Sequence, residues 1–166
     1  MTDFGPSVRR VQEALAAAGG GHRVIALEQS ARTSAQAASA VGCKVDQIAK
    51  SLVFRGEQSQ RAVLVIASGA NRVDERKVAA LIAEPVGRAD AEFVRQRTGF
   101  AIGGVAPVAH AGPLTILIDE DLLRWPEIWA AAGHPNTVFK LTPDDLVRLT
   151  GGRVAAIKSG DSTAVP

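Results

Sequence analysis

Cysteine is almost absent. Cys43 stands alone, so no internal disulfide can form and no Cys-x-x-Cys pair offers a zinc site. No apolar run approaches the ~20 residues needed to span a bilayer. Residues Met1 to Arg10 include Asp3 and Pro6 and lack an apolar segment, so no signal peptide is expected there. His22, His110 and His134 show no partner spacing, which leaves no His-based metal site. No serine elbow and no Cys/His pair stands out as a nucleophile. Cys43 itself reads as a small packed residue. What remains is a soluble, reduced, cytoplasmic globular protein.

The chain has 166 residues, with 46% apolar and 22% charged, which suits one ordered domain with its own core. Net charge is +2, too small by itself to mark a nucleic-acid binder. Residues 1–97 hold 14 Lys/Arg against 10 Asp/Glu, and residues 98–166 hold 5 against 7. Most of these cations are arginines, which suit phosphate recognition, but acids are interleaved with them as on any solvated surface.

Ser7 to Ala18 reads as a helix through Val8, Val11 and Leu15, ended by Gly19-Gly20-Gly21. Arg23 to Leu27 is a short strand. Thr33-Ser34 caps a small helix with Ala35, Ala38 and Val41 on one face and Gly42 at its end. Ile48 to Arg55 and Ala62 to Ala67 read as a hairpin across the polar segment 56–60. Asp74 and Asp90 cap two further helices, with Val86 to Arg88 a brief strand between them. Leu114 to Ile118 and Asn136 to Leu141 read as strands, and an Ala-rich helical stretch precedes Gly133. Thr142-Pro143-Asp144-Asp145 opens a last helix, and Arg153 to Ile157 a last strand. The expected fold is α/β of mixed, α+β-like kind. Its sheet is largely antiparallel and barrel-like, with flanking helices, in a single domain over 1–158. Residues 159–166 are expected to be a flexible tail.

Lys50 is the most informative residue. Side chains alternate along a strand, so Lys50 shares a face with Ile48, Leu52 and Phe54. That apolar face should point inward. The lysine then either snorkels out at the strand end or stands at a cavity wall, where it can bind a phosphate or carboxylate or take part in proton transfer. Gly103-Gly104 follows an apolar run and permits close approach of a ligand to backbone N–H groups. A bulge or turn ahead of Pro107 explains it equally. His134 fits a polar pocket wall or a turn beside Pro135. Asp119, leading Asp119-Glu120-Asp121, fits an amine or cation site, or a helix N-terminus.

The order of these pieces resembles the YbaK/prolyl-tRNA-synthetase-associated editing domain family. The resemblance rests on Thr33-Ser34 before an Ala-rich helix, Gln47 to Phe54 around Lys50, and Arg72-Val73-Asp74. It continues through Thr98 to Pro107 with the diglycine, Leu117-Ile118-Asp119, and Ala132-Gly133-His134. It runs from about Arg23 to Gly151. It implies a barrel-like mixed sheet and hydrolysis of wrongly charged aminoacyl-tRNA, often tRNA for proline carrying a small amino acid. It implies Lys50 in the active pocket, and Gly103 and Gly104 giving backbone contacts near the scissile ester. Ser51, Val105, Asp119 and His134 are then expected to bind substrate. Neither a metal nor an organic cofactor is implied. The implied partners are the acceptor end of mischarged tRNA and prolyl-tRNA synthetase, with neither membrane nor DNA.

Two departures leave the edited amino acid open. Alanine-selective members usually carry Asn after the lysine, where this chain has Ser51. Cysteine-selective members often have a basic run after the diglycine, where this chain has Val108-Ala109-His110-Ala111. Some members of the family are regulators or binding modules, and a phosphate-ligand binder unrelated to tRNA is a third reading.

Overall fold

Local chemistry sets most of the element ends. The computed structural model describes residues 4–160. Helix α1 (Pro6–Ala18) starts with proline in its first turn and buries Val8, Val11 and Leu15. Strand β1 (Val24–Ala26) follows. Helix α2 (Ser34–Val41) is capped by the Thr33 hydroxyl, which accepts the Gln36 N–H at 3.1 Å. It ends at Gly42, whose φ of 78° suits glycine. Its buried residues are Ala37 and Ala38, a face rotated from the expected Ala35, Ala38 and Val41.

Strands β2 (Ile48–Gly56) and β3 (Ala62–Ser68) form the expected hairpin. Helix α3 (Glu75–Ile82), strand β4 (Val86–Arg88) and helix α4 (Ala91–Thr98) come next. Asp74 and Asp90 cap the two helices through their carboxylates. Strand β5 (Thr115–Asp119) runs into a short 3-10 turn (Glu120–Arg124). Then come β6 (Ile128–Ala131), β7 (Thr137–Leu141), α5 (Pro143–Thr150) and β8 (Arg153–Ala155).

The stretch before Gly133, expected to be helical, is strand β6. Its register with β7 runs from Ile128 opposite Leu141 to Ala131 opposite Val138. Alanine is the best intrinsic helix former, but propensity is a weak prior that tertiary pairing overrides. Only a short segment separates Pro126 from Gly133, and the ladder with β7 decides its conformation.

One eight-stranded mixed sheet results, in the order β1-β7-β6-β2-β3-β5-β8 with β4 also on β2. It is α+β in kind, but open rather than closed, because β1 and β8 stand at opposite ends of that order. Most of its ladder is antiparallel, as expected, in β1–β7, β2–β3, β2–β4 and β6–β7, while β2–β6, β3–β5 and β5–β8 pair in parallel. The long segment carrying α3, β4 and α4 supplies the crossover that the parallel β3–β5 pair requires.

Every residue of β3 is buried. Leu64 and Ile66 face the main core with Val8, Val11 and Phe100, while Val63, Val65 and Ala67 face α3 through Val78 and Ile82. An uninterrupted apolar strand is what burial on both faces demands. Full burial of each such side chain is worth about 1.5–3 kcal/mol. Among the described residues no helix is long and apolar enough to cross a membrane.

The expected tail begins at Ser159, whose N–H donates to the Arg72 carbonyl at 2.7 Å. Residues 161–166 lie outside the described residues.

Candidate active site

Strand β2 has β3 along one side for seven residues. On its other side β6 pairs Ile48 and Ala49, and β4 pairs Phe54 to Gly56. Between them Lys50 to Val53 have no strand partner on that side. A cavity of about 580 Å³ opens beside this gap, a volume suited to a small ligand. The N-terminal end of α2, the diglycine loop and β6 complete its walls.

Lys50 lies in this wall, but not as the alternation rule anticipated. The main core takes Ala49 and Val53 from the opposite face of β2. The Lys50 face meets two smaller clusters instead: Ile48 packs with Ala37 and Ala38 of α2, and Phe54 packs beside Val63 and Val65. The opposite face also carries the polar Ser51 and Arg55. Arg55 lies over the Phe93 ring at 4.5 Å, so that face is covered too. Lys50 is therefore half-buried between two clusters rather than sunk in the core.

One hydrogen bond holds the ammonium, from Nζ to the Gly69 carbonyl at 3.3 Å. Gly69 has to be glycine, because a Cβ there would lie 2.5 Å from the Val45 carbonyl oxygen and 2.7 Å from Ser34 Cβ. Burial lowers the Lys50 pKa below the ordinary lysine value, the Asp119 charge opposes this, and Arg72 reinforces it. An ammonium has three donors, so two are left for a ligand.

Asp119 does not line the cavity. It is buried, at 1% exposure, and accepts from the Ser68 N–H at 3.0 Å and the Asn71 amide at 2.8 Å. Its other oxygen accepts the Asp121 N–H, so it also opens the 3-10 turn. It acts on Lys50 through its charge rather than by touching a ligand in the cavity.

The two glycines differ. Gly103 lines the cavity, and its φ of 90° lies in the left-handed region. Among the described residues no protein acceptor takes its N–H. Gly104 is buried, and its N–H donates to the Ala101 carbonyl at 3.0 Å. A Cβ on Gly104 would lie 2.9 Å from His134 Cα. Gly104 thus closes a turn against the Gly133-His134 backbone and has no N–H to spare. Val105 lines the cavity, and its N–H, like that of Gly103, has no protein acceptor among the described residues.

The His134 ring is exposed and outside the cavity. Its Nδ1 accepts the Asn136 N–H at 3.1 Å, and its carbonyl accepts from the Thr137 hydroxyl at 3.0 Å. It shapes a turn that presents Pro135 and Thr137 to the cavity. Ser51 does line the cavity, and its hydroxyl is buried without a hydrogen-bond partner.

Further residues of the site went unread in the sequence. Trp129 contributes to the cavity wall from β6, and was hidden by the helical reading of that stretch. His110 fixes the loop through Nε2, 2.7 Å from the Ala106 carbonyl. Burial lowers its pKa, which favours a neutral ring donating that bond. Arg10 grips the other end of the loop, donating to the Gly99 carbonyl at 3.1 Å and lying 4.7 Å over Phe100. Arg10 carries no spacing signal because it reaches the loop from distant chain, whereas His110 lies only four residues beyond the carbonyl it holds.

Lys50 and Arg32 put two cations around the cavity, while no carboxylate and no imidazole lines it. Such a wall suits an anionic or carbonyl-bearing ligand. It supplies hydrogen-bond donors rather than a general base.

The aminoacyl-tRNA editing domain model matches residues 28–149. The uncharacterized protein YwhH of Bacillus subtilis (strain 168) is 33% identical over 131 residues, which are 79% of this chain and 83% of that one. A solved structure of a candidate trans-editing enzyme for prolyl-tRNA synthetase is 50% identical, covers 95% of this chain and 100% of its own, and superposes with a TM-score of 0.89. The crystal structure of hypothetical protein APE2540 is 29% identical over 90% of this chain and 99% of its own, with a TM-score of 0.84. With its lysine-bearing cavity inside the matched segment, the chain belongs to the aminoacyl-tRNA editing domain family, the YbaK family.

Proposed function

We propose that the protein is a trans-editing aminoacyl-tRNA deacylase, acting in the cytoplasm on tRNA for proline that carries a small wrong amino acid. One observation carries the reading: an under-bonded lysine faces a cavity free of carboxylates, opposite a loop with unengaged N–H groups. The kinship with a candidate trans-editing enzyme for prolyl-tRNA synthetase supports the choice of tRNA and makes that synthetase the expected partner.

The reaction asks little of the protein. An aminoacyl ester is already activated, so positioning a nucleophile is most of the work. Water adds to the ester carbonyl, the carbon–oxygen bond to the ribose breaks, and the ribose oxygen leaves with a proton. Lys50 holds the terminal adenosine phosphate or the ester carbonyl. Gly103, with Val105 in place of Gly104, donates N–H groups to the developing oxyanion. The Ser51 hydroxyl lies ready for a polar atom of the substrate. With no side-chain base lining the cavity, the attacking water gives up its proton to a group of the substrate itself, such as the neighbouring ribose oxygen.

The same lack of a base favours a second reading, a module that binds charged tRNA without hydrolysing it. Incubation with a panel of mischarged tRNAs separates the two. Release of free amino acid from at least one small-residue prolyl-tRNA, lost in Lys50→Ala, supports the enzyme. Binding with no release in any member of the panel overturns it.

A further inference from the structure

The side chain of Arg55 leaves β2 about 16 Å from Lys50, at five residues of about 3.3 Å each. It lies 4.5 Å over the Phe93 ring, and Arg97, four residues along α4, lies 4.6 Å over the same ring. Phe93 is buried, so both guanidiniums are held in place by packing. Some cations of the chain are taken up by carboxylates, as Arg61 is by Glu84, Arg124 by Asp121 and Arg148 by Asp145. Arg55 and Arg97 have none among the described residues, and Arg55 Nε is buried without an acceptor. They border a cleft of about 230 Å³, separate from the Lys50 cavity, with Gln60, Gln96, Asp90 and Glu92 around it.

Both carboxylates there are otherwise engaged. Asp90 caps α4 through the Phe93 N–H at 2.8 Å, and Glu92 accepts from Gln96 at 3.5 Å. Their charges still balance the two arginines. The cleft therefore suits a singly charged group rather than a free dianion, and rigid guanidinium donors match phosphate oxygens.

We infer that the Arg55–Phe93–Arg97 cleft binds a single phosphodiester of the tRNA backbone, a few nucleotides from the aminoacyl end. This rests on the editing reading for the identity of the nucleic acid. The spacing agrees with it: about 16 Å corresponds to roughly five steps of 3.4 Å along a stacked strand. Lys50 and Arg55 project from opposite faces of β2, so a strand bound at both rounds the edge at 50–53, which has no strand partner and where the cavity opens. A contact of this kind holds the substrate without touching the reacting ester.

The test uses Arg97→Gln and Arg55→Gln in the full chain, with uncharged tRNA as the binding probe across a salt series. Each variant is expected to bind about fivefold more weakly. The slope of log affinity against log salt should fall by about 0.7–0.9, the loss of one phosphate contact. KM for mischarged tRNA should rise with kcat unchanged, and cleavage of a minimal aminoacyl-adenosine should not change. Arg97→Lys keeps the charge and should keep the slope. If Arg55→Gln does not fold, Arg97→Gln at its half-exposed position carries the test. Unchanged affinity and slope in Arg97→Gln overturn the inference. So does inorganic phosphate binding that Arg97→Gln abolishes while tRNA affinity stays intact. If wild-type protein hydrolyses no mischarged tRNA while the slope difference persists, the editing reading fails and the phosphodiester contact stands.

Discussion

The two ends of the β2–β3 hairpin each hold a charge away from bulk water, and they treat it oppositely. At the turn, the Glu84 carboxylate accepts from the Gln58 and Ser59 N–H groups at 2.9 Å each. It also accepts from the Ser59 hydroxyl at 2.7 Å and from Arg61 Nε at 2.9 Å. At the open end, Lys50 donates to one carbonyl, and that bond is long at 3.3 Å. A charge with every partner supplied by its own chain is structure. A charge left short of partners beside a cavity is available to a ligand, and the protein pays for that readiness in stability. The pKa values tell the two apart. The Ser59 N–H and hydroxyl lead in holding the Glu84 carboxyl down at about 2, whereas burial leads in lowering Lys50, away from its charged form.

The contrast breaks most visibly at Lys50. Lys50→Ala should lower deacylation by about 10²–10³, the usual cost of one electrostatic donor to a developing charge, while the melting temperature stays near wild type. Full turnover in that variant would remove Lys50 from the chemistry. Unfolding would make it a structural charge like Glu84.

The diglycine comes next. Gly104→Val should destabilise the fold by about 1–3 kcal/mol, as overpacking does, because the new Cβ would meet His134 backbone at 2.9 Å. Gly103→Ala meets nothing closer than Pro135 Cγ at 3.8 Å and has only its φ to strain, at about 1–2 kcal/mol. Its loss should appear in turnover, as a displaced N–H. Denaturant melts beside single-turnover rates check this. Equal stability losses in the two variants would show that the glycines share one role.

Asp119→Asn sharpens the electrostatic side. The carboxylate opposes the lowering of the Lys50 pKa, so its removal should let that pKa fall further. Activity that needs the ammonium declines on the alkaline side, and in the variant this decline should move to lower pH. A profile that keeps its shape and merely drops in height would mean that Asp119 only supports the fold.

The smallest effect on activity belongs to Glu84→Gln, which should leave neutral-pH turnover unchanged. Stability should respond instead. The folded pKa lies below the ordinary glutamate value of 4.5. The contribution of Glu84 is therefore present above about pH 4.5 and is lost as pH falls toward about 2. Wild-type unfolding free energy should drop across that window, and the variant's curve should be flatter. Identical acid limbs would take the carboxylate out of the hairpin's stability.

Much of this was open to a sequence reading because it depends on nearest neighbours. Thr33, Asp74, Asp90 and Thr142 cap helices, and Gly42, Gly99 and Gly151 end them with positive φ. Those outcomes need only a short side chain or a missing Cβ a few residues from the helix. The apolar run of β3, the lysine in β2 and the ordered set of family motifs were legible in the same way. Tertiary structure decided what distant chain decides. Ala130 and Ala131 are strand because β7 offers a ladder, and the sheet is open and mixed because crossovers bring β5 beside β3. Lys50 faces a cavity rather than the core because both faces of β2 are covered. Gly104 loses its N–H to Ala101, and Asp119 lies behind the lysine instead of in the cavity wall, because folding brings those partners within reach. Local rules act over a turn of helix or a few residues of strand, whereas which donors and acceptors stay unmatched is known only once every other group has found its partner.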